Sequence, residues 1–301
     1  MSTETNREYK DRLFKFIFGH HEHLDWTLSL YNAINKTSYT NTDDIEITTI
    51  QDAVYMRMKN DVSFLVDNIM NLYEQQSTYN PNMPMRFFIY AGMIYSKYIK
   101  QSEDYNEFST SQQTAPTPRC ICFYNGKSSK DDIKILKLSD TFAPNSNPDI
   151  EVKVTMININ YGHNSELLEA CKPLKEYSWF VDRVRITQKV TKDLEKAIDI
   201  VLDETPEEFL IKSFLVLNKA EVKRMCITEY NEEQTLNKIR KESKEEGFAE
   251  GRAEGKTEGM EIGALNTLVG LIKDGILSLT DAAKRANMTI SEFETKTGLK
   301  A

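Results

Sequence analysis

The stretch MKNDVSFLVDNIMNLYEQQ, Met58 to Gln76, holds the side chains best placed to do chemistry. Asp67-Asn68 reads as the centre of a tight hairpin, because both residues tolerate the left-handed backbone angles such turns demand. Val66 then faces Ile69, Leu65 faces Met70, Ser63 faces Leu72, Asp61 faces Glu74 and Lys59 faces Gln76. In that register Asp61 and Glu74 are direct cross-strand neighbours, with Cβ atoms about 4.5–5.5 Å apart. Gln76 lies two residues beyond Glu74 and so on the same face. Two facing carboxylates repel, and a cation between them relieves the repulsion; paired oxygen ligands suit Mg²⁺. A bound Mg²⁺ positions a water, polarises a phosphodiester and neutralises charge in the transition state. The competing reading is that Asp61 and Glu74 are ordinary solvated charges. A register slip of one residue would separate them onto opposite faces.

The elements around this hairpin follow from periodicity. Tyr9, Leu13, Phe16 and Ile17 recur at helical spacing, with Gly19 as a stop. Phe14 and Phe18, four residues apart, fit packing of that helix onto a sheet. A second helix is expected from about His23 to Ile34. Strand-like sequence runs from Ile45 to about Gln76, broken at Asp67-Asn68. NPNMP (Asn80 to Pro84) is a turn, and a long apolar helix follows to about Ile99. After a polar linker, RCICFYNGK reads as a buried strand ending in a turn at Asn125-Gly126, with two more strands near Ile133–Leu138 and Ile150–Ile159. From about Ser165 the pattern is helical: Leu194, Ile198, Val201 and Leu202 share a face, as do Phe209, Leu210, Phe214 and Leu217. The order predicts an α/β core with a helical C-terminal part.

The C-terminal part carries one low-complexity repeat, with glycine every four residues at Gly247, Gly251, Gly255, Gly259 and Gly263. Two readings stand side by side. The repeat is a charged spacer, or it is a helix whose bare ridge allows close approach of a second copy. The following LVGLIKDGILSLTDAAKRANMTISEFETKTG resembles three short helices with a helix-turn-helix rhythm, with a turn at Asn287-Met288. Thr289 and Glu292 fit a capping box. Simple three-helix packing without DNA contact is the plainer interpretation.

Composition bounds the rest. The 301 residues carry 38 Lys+Arg against 46 Asp+Glu, a net charge of −8, which argues against a generally basic nucleic-acid coat protein but leaves room for a local basic groove. Residues 229–262 hold ten Glu and six Lys or Arg, so half of that charge sits in the repeat and the body is nearly neutral. No run of apolar residues is long enough to cross a membrane, and the polar start MSTETNREYKDR lacks the apolar core of a signal peptide; a cytoplasmic protein is expected. Cys120, Cys122, Cys171 and Cys226 form no metal-type pair and read as reduced thiols, Cys120 and Cys122 on one core face. His20, His21 and His23 lack a second Cys/His cluster at finger spacing, and His163 reads as a turn or packing residue. No Walker loop, GxGxxG fingerprint or GxSxG elbow occurs.

Asp61-x12-Glu74-x-Gln76 resembles the Asp…Glu-x-Lys core of PD-(D/E)XK nucleases, with Gln in the Lys place. The words KDRLFKFIFG, NDVSFLVDN, LYEQQSTYNPNMPMR, FYNGK, ININYGHN, LKEYSWFV and EGRAEGKTEG together resemble the Rpn family of recombination-promoting nucleases and transposases, over about residues 8 to 262. The resemblance implies a restriction-endonuclease-like α/β fold with a mixed central sheet flanked by helices. It also implies a Mg²⁺-dependent DNA endonuclease, Mn²⁺ being a possible substitute, associated with recombination, transposition or defence against foreign DNA. Asp61 and Glu74 would be the metal ligands, and Gln76 would orient the attacking water or the phosphate. Asp11 would complete the shell, unless it is an exposed helix charge.

Gln76 carries no charge, and Lys59 across the hairpin is a candidate to restore one. Arg86 is a candidate phosphate contact or a surface salt bridge. The clusters Lys97/Lys100, Lys127/Lys130/Lys134/Lys137 and Arg183/Arg185/Lys189/Lys192 are candidate DNA-backbone patches or solvated faces. The expected domains are a nuclease-like core (1–190), a helical extension (191–228), the Glu/Gly repeat (229–263) and a small helical tail (264–301). DNA and a second copy of the chain are the expected partners. The alternative function is a catalytically inactive, transposase-derived DNA-binding or assembly protein.

Overall fold

The computed structural model describes residues 13–47, 62–66, 68–101, 105, 108–127 and 131–299. In chain order the elements are α1 (Leu13–Phe18), α2 (Leu24–Asn35), β1 (Ile45–Ile47), β2 (Val62–Val66), β3 (Ile69–Gln76), α3 (Met83–Gln101), β4 (Thr117–Tyr124), β5 (Ile133–Lys137) and β6 (Lys153–Asn158). Helices follow: α4 (Ser165–Ala170), α5 (Lys172–Thr191), α6 (Leu194–Glu204), α7 (Lys212–Leu217), α8 (Lys219–Lys273), α9 (Leu279–Arg285) and α10 (Ile290–Thr297). The chain divides into two compact units, Met1–Gln234 and Thr235–Ala301. Among the described residues no helix is long and apolar enough to cross a membrane.

The first unit is α/β, built on an open mixed sheet of six strands in the order β1-β2-β3-β4-β6-β5. β1, β2 and β3 are antiparallel neighbours; β3, β4 and β6 run parallel; β5 returns antiparallel along β6. β3 lies between β2 and β4 and is buried along nearly its whole length, which is why IMNLYEQQ lacks a polar outer face.

Alternation along the strands builds two cores. Phe64, Tyr73, Ile121, Phe123 and Ile157 turn toward α1, α2, α5 and α6. Phe14 meets Phe18 at 4.8 Å and Phe123 at 4.9 Å between ring centroids, the packing role expected for this pair. On the other face Met70, Leu72, Cys122, Tyr124 and Met156 pack against Met83, Phe87, Tyr90 and Ile94 of α3. Cys120 joins the same side, and burial pushes its thiol up to about 12 and that of Cys171 up to about 11, as inert core thiols should behave.

Two expectations are corrected. Phe209 and Leu210 precede α7 instead of sharing a helix with Phe214 and Leu217; Phe209 N–H bonds to the Pro206 carbonyl in a turn. LVGLIK is not a separate short helix but the last turns of α8, because nothing breaks the helix before Gly275, whose φ is +70°. Within the second unit Leu265, Leu268, Val269 and Ile272 of α8 close over Ala282, Ala283 and Phe293. The Thr289–Glu292 capping box is formed in both directions. All five repeat glycines lie inside α8, and a Cβ added at any of them would meet nothing within 4 Å.

The Asn125-Gly126 turn is stitched to the end of β3, with Asn125 N–H donating to the Gln76 carbonyl at 3.1 Å. A Cβ on Gly126 would run into the Ser77 carbonyl oxygen and stand 2.6 Å from the Tyr124 hydroxyl. Gly126→Ala is therefore expected to lower stability by about 2 kcal/mol, the scale of core overpacking, read as a lower urea midpoint.

Candidate active site

The candidate site is built from the C-terminal end of strand β3 and the first turn of helix α3. In β2 and β3, Val62 pairs with Tyr73, Ser63 with Leu72, Leu65 with Met70 and Val66 with Ile69. This is the register on which the sequence-based placement of the site depends. Leu72, Glu74 and Gln76 share the α3 side of the sheet; Tyr73 and Gln75 share the α5 side. Glu74 and Gln76 thus stand side by side at the strand's end, as expected. Asp61, Lys59 and Asp11 lie outside the described residues.

Glu74 is 1% exposed. A carboxylate so deeply buried requires a charge partner and hydrogen bonds. The partner comes from α3: Arg86 Nη2 forms an ion pair with Glu74 Oε1. Gln76 Nε2 donates to the same oxygen at 2.7 Å. Arg86 Nη2 also donates to the Tyr90 hydroxyl at 2.9 Å, and the guanidinium carbon lies 5.8 Å from that ring's centroid. Arg86 and Tyr90 are four residues apart, one helical turn, so one face of α3 delivers both. The turn before α3 sets this placement: Asn80 Oδ1 accepts from Asn82 N–H at 2.9 Å, and Arg86 N–H bonds to the Asn82 carbonyl. Arg86 therefore makes an inward pair with a buried acid, neither the surface salt bridge nor the simple phosphate contact that the sequence suggested.

These groups bear on the metal expectation. Among the described residues no three His, Cys, Asp or Glu side chains gather as a metal site, and Glu74 Oε1 already holds Arg86 and Gln76. With Arg86 attached, Glu74 does not fit a divalent cation. A second carboxylate would have to join it and Arg86 would have to leave.

On the opposite face, the ends of β3, β4 and β6 carry a buried polar network that the sequence did not single out. Gln75 Nε2 donates to Asn125 Oδ1 at 2.7 Å, and Asn125 Nδ2 donates to the Tyr177 hydroxyl at 3.1 Å. Arg185 Nη1 donates to the Asn125 carbonyl at 2.6 Å and to Asn160 Oδ1 at 3.1 Å. Asn160 Nδ2 reaches the Gly126 carbonyl and Asn158 Oδ1, both at 2.8 Å. FYNGK and ININYGHN supply most of these residues, so the asparagine density at two strand ends was the available signal. Arg185, from sequence a candidate for a DNA-backbone patch or a solvated face, spends its described bonds tying strand ends together.

His20 and His23 are packing residues. His23 stacks on Trp26 at 3.8 Å, and His20 and His23 both meet the Phe214 ring edge-on. Burial holds the His23 imidazole below its ordinary range. His163 Nδ1 lies 2.7 Å from Asp132 Oδ1 in the turn after β6. Of the basic clusters, Lys97, Lys100, Lys127, Lys134, Lys137, Arg183, Lys189 and Lys192 are exposed, and Lys130 lies outside the described residues. Arg183 covers the Trp179 ring and Lys134 the Tyr79 ring. Comparison of the chain with models of protein families, with curated proteins and with solved structures finds no match.

Arg86→Met keeps the stem's apolar contacts but removes the guanidinium from beside a buried carboxylate. It is expected to cost about 3 kcal/mol of stability by urea unfolding. Glu74→Gln should cost less, because its amide oxygen still accepts from Gln76 and Arg86.

Proposed function

We propose that this chain is a DNA endonuclease of the PD-(D/E)XK kind, hydrolysing phosphodiesters in recombination, transposition or defence against foreign DNA. The observation that carries the reading is the buried Glu74, side by side with Gln76 at the end of a central strand and facing an arginine. This is the polar end of a buried central strand, at the place where the resemblance puts catalytic chemistry. DNA is the partner the reading requires and the cytoplasm its compartment. Assembly through the Glu/Gly repeat of α8 is a further part of the proposal.

Phosphodiester hydrolysis depends mostly on positioning and on stabilising charge at the phosphate oxygens. Gln76 is neutral, so it orients: with its Nε2 held by Glu74, its amide oxygen remains as an acceptor for a water proton. Arg86 stays protonated at any working pH and supplies the positive charge that Gln76 lacks. In this reading Arg86 takes the part assigned from sequence to Lys59. The resemblance implies Mg²⁺ held by Asp61 and Glu74, which the Arg86-paired carboxylate does not fit as it stands.

The second reading, a DNA-binding or assembly protein without catalysis, is favoured by the same ion pair, since Arg86 satisfies Glu74 without a metal. Supercoiled plasmid separates the two. The nuclease reading expects nicking or linearisation in Mg²⁺ or Mn²⁺, none in EDTA, and a loss on the order of 100-fold in Glu74→Gln. Undiminished cleavage by Glu74→Gln would overturn the nuclease assignment. Plasmid binding without cutting in either cation would establish the binding protein instead.

A further inference from the structure

The repeat in α8 lays three columns of residues side by side. Gly247, Gly251, Gly255, Gly259 and Gly263 form the middle one, a ridge without side chains. A residue next to a glycine in sequence stands about 100° around the helix from it, the preceding residue on one side and the following residue on the other. Lys244, Phe248, Arg252, Lys256 and Met260, spaced by four, therefore line one flank of the ridge. Glu254, Glu258 and Ile262 line the other. These side chains are all exposed, Phe248 to 69% and Met260 to 67%. Lys244 Nζ lies 5.7 Å from the Phe248 ring centroid, along its own column. One flank is thus cationic and apolar, and the other is anionic and ends in an isoleucine. Each glycine disfavours helix against alanine, and no described residue of the same chain packs where its Cβ would be.

We propose that two copies of the chain pair through this face as parallel helices in register, related by a twofold axis running along them; this rests on the assembly through α8 proposed above and gives it a direction. The bare ridge allows the backbones to approach closely, and the flanks choose the orientation. In a parallel twofold pair each cationic flank lies beside the anionic flank of the second copy. Glu254 then stands between Arg252 and Lys256 of the second copy, Glu258 beside its Lys256, and Ile262 beside its Met260. In an antiparallel twofold pair each flank meets its own kind. Arg252 and Lys256 then face the same two cations, and Glu254 and Glu258 the same two carboxylates. Exposed charge pairs are individually weak, so they select between the two orientations. Close contact along the ridge and cover for Phe248, Met260 and Ile262 supply the attraction.

The test is sedimentation equilibrium of the full-length chain together with cysteine cross-linking, and neither readout depends on DNA cleavage. The expected mass is that of a dimer. Gly251→Leu with Gly255→Leu favours helix and adds bulk only on the ridge, so it should weaken dimerisation at least about tenfold while the helical circular dichroism stays. Arg252→Glu with Lys256→Glu should weaken it as well, and mixing that chain with one carrying Glu254→Lys and Glu258→Lys should restore a dimer. Gly247→Cys and Gly263→Cys, oxidised separately, should each cross-link to its own kind, giving a dimer band that the unsubstituted chain lacks. Cross-linking only when those two chains are mixed means antiparallel helices; it overturns the proposal and leaves assembly through α8 standing. A monomer at every concentration, or a dimer indifferent to the ridge and flank substitutions, overturns both.

Discussion

A carboxylate buried in the middle of a sheet is the constraint from which the rest of the site follows. Glu74 cannot stand there as a bare charge, so the chain must bring a cation to it. The cation comes from α3, which fixes where α3 has to cross the sheet. That crossing is set by the Asn80–Asn82 turn at the helix start and by Met83, Phe87 and Tyr90 packing onto Met70, Leu72 and Tyr124. The apolar contacts hold the helix in place, and the ion pair uses the placement. Tyr90 serves both, with its ring in the core and its hydroxyl on the guanidinium.

The same strand end is polar on its other face. Gln75, next to Glu74, points to the α5 side and begins the chain of bonds through Asn125 to Tyr177, while Arg185 ties Asn125 to Asn160. The three parallel strands are therefore joined at one end by side-chain hydrogen bonds in addition to their ladders. The close approach of Gly126 to Ser77 leaves no room for a side chain there. Networks of this kind, when satisfied, rigidify what they connect. The consequence for function is a fixed floor under Glu74 and Gln76, with Arg86 as the part of the site that reaches solvent.

Local chemistry was readable from sequence; partners distant along the chain were not. Reading Asp67-Asn68 as a turn predicted the register that β2 and β3 show, Val66 with Ile69, and alternation placed Glu74 and Gln76 on one face. Thr289 and Glu292 announced their helix start at a spacing of three residues. Arg86 was visible as a candidate, but its pairing depends on how α3 lies across β3, which no local pattern encodes. The Gln75–Asn125–Tyr177 bonds join residues about fifty positions apart, so only the unusual run of asparagines at strand ends hinted at them. The glycine repeat left two readings open, a charged spacer or a helix; each glycine disfavours helix by about 1 kcal/mol against alanine, yet α8 runs through the repeat to Lys273.

The account stands on Glu74 and Arg86 acting as one unit. A double-mutant cycle over Glu74→Gln and Arg86→Gln, with stability from urea unfolding, measures that unit directly. A coupling of about 2 kcal/mol, with the double variant less destabilised than the sum of the singles, is the predicted result. A coupling indistinguishable from zero would show that the carboxylate is stabilised by something other than the arginine, and would contradict the site as described.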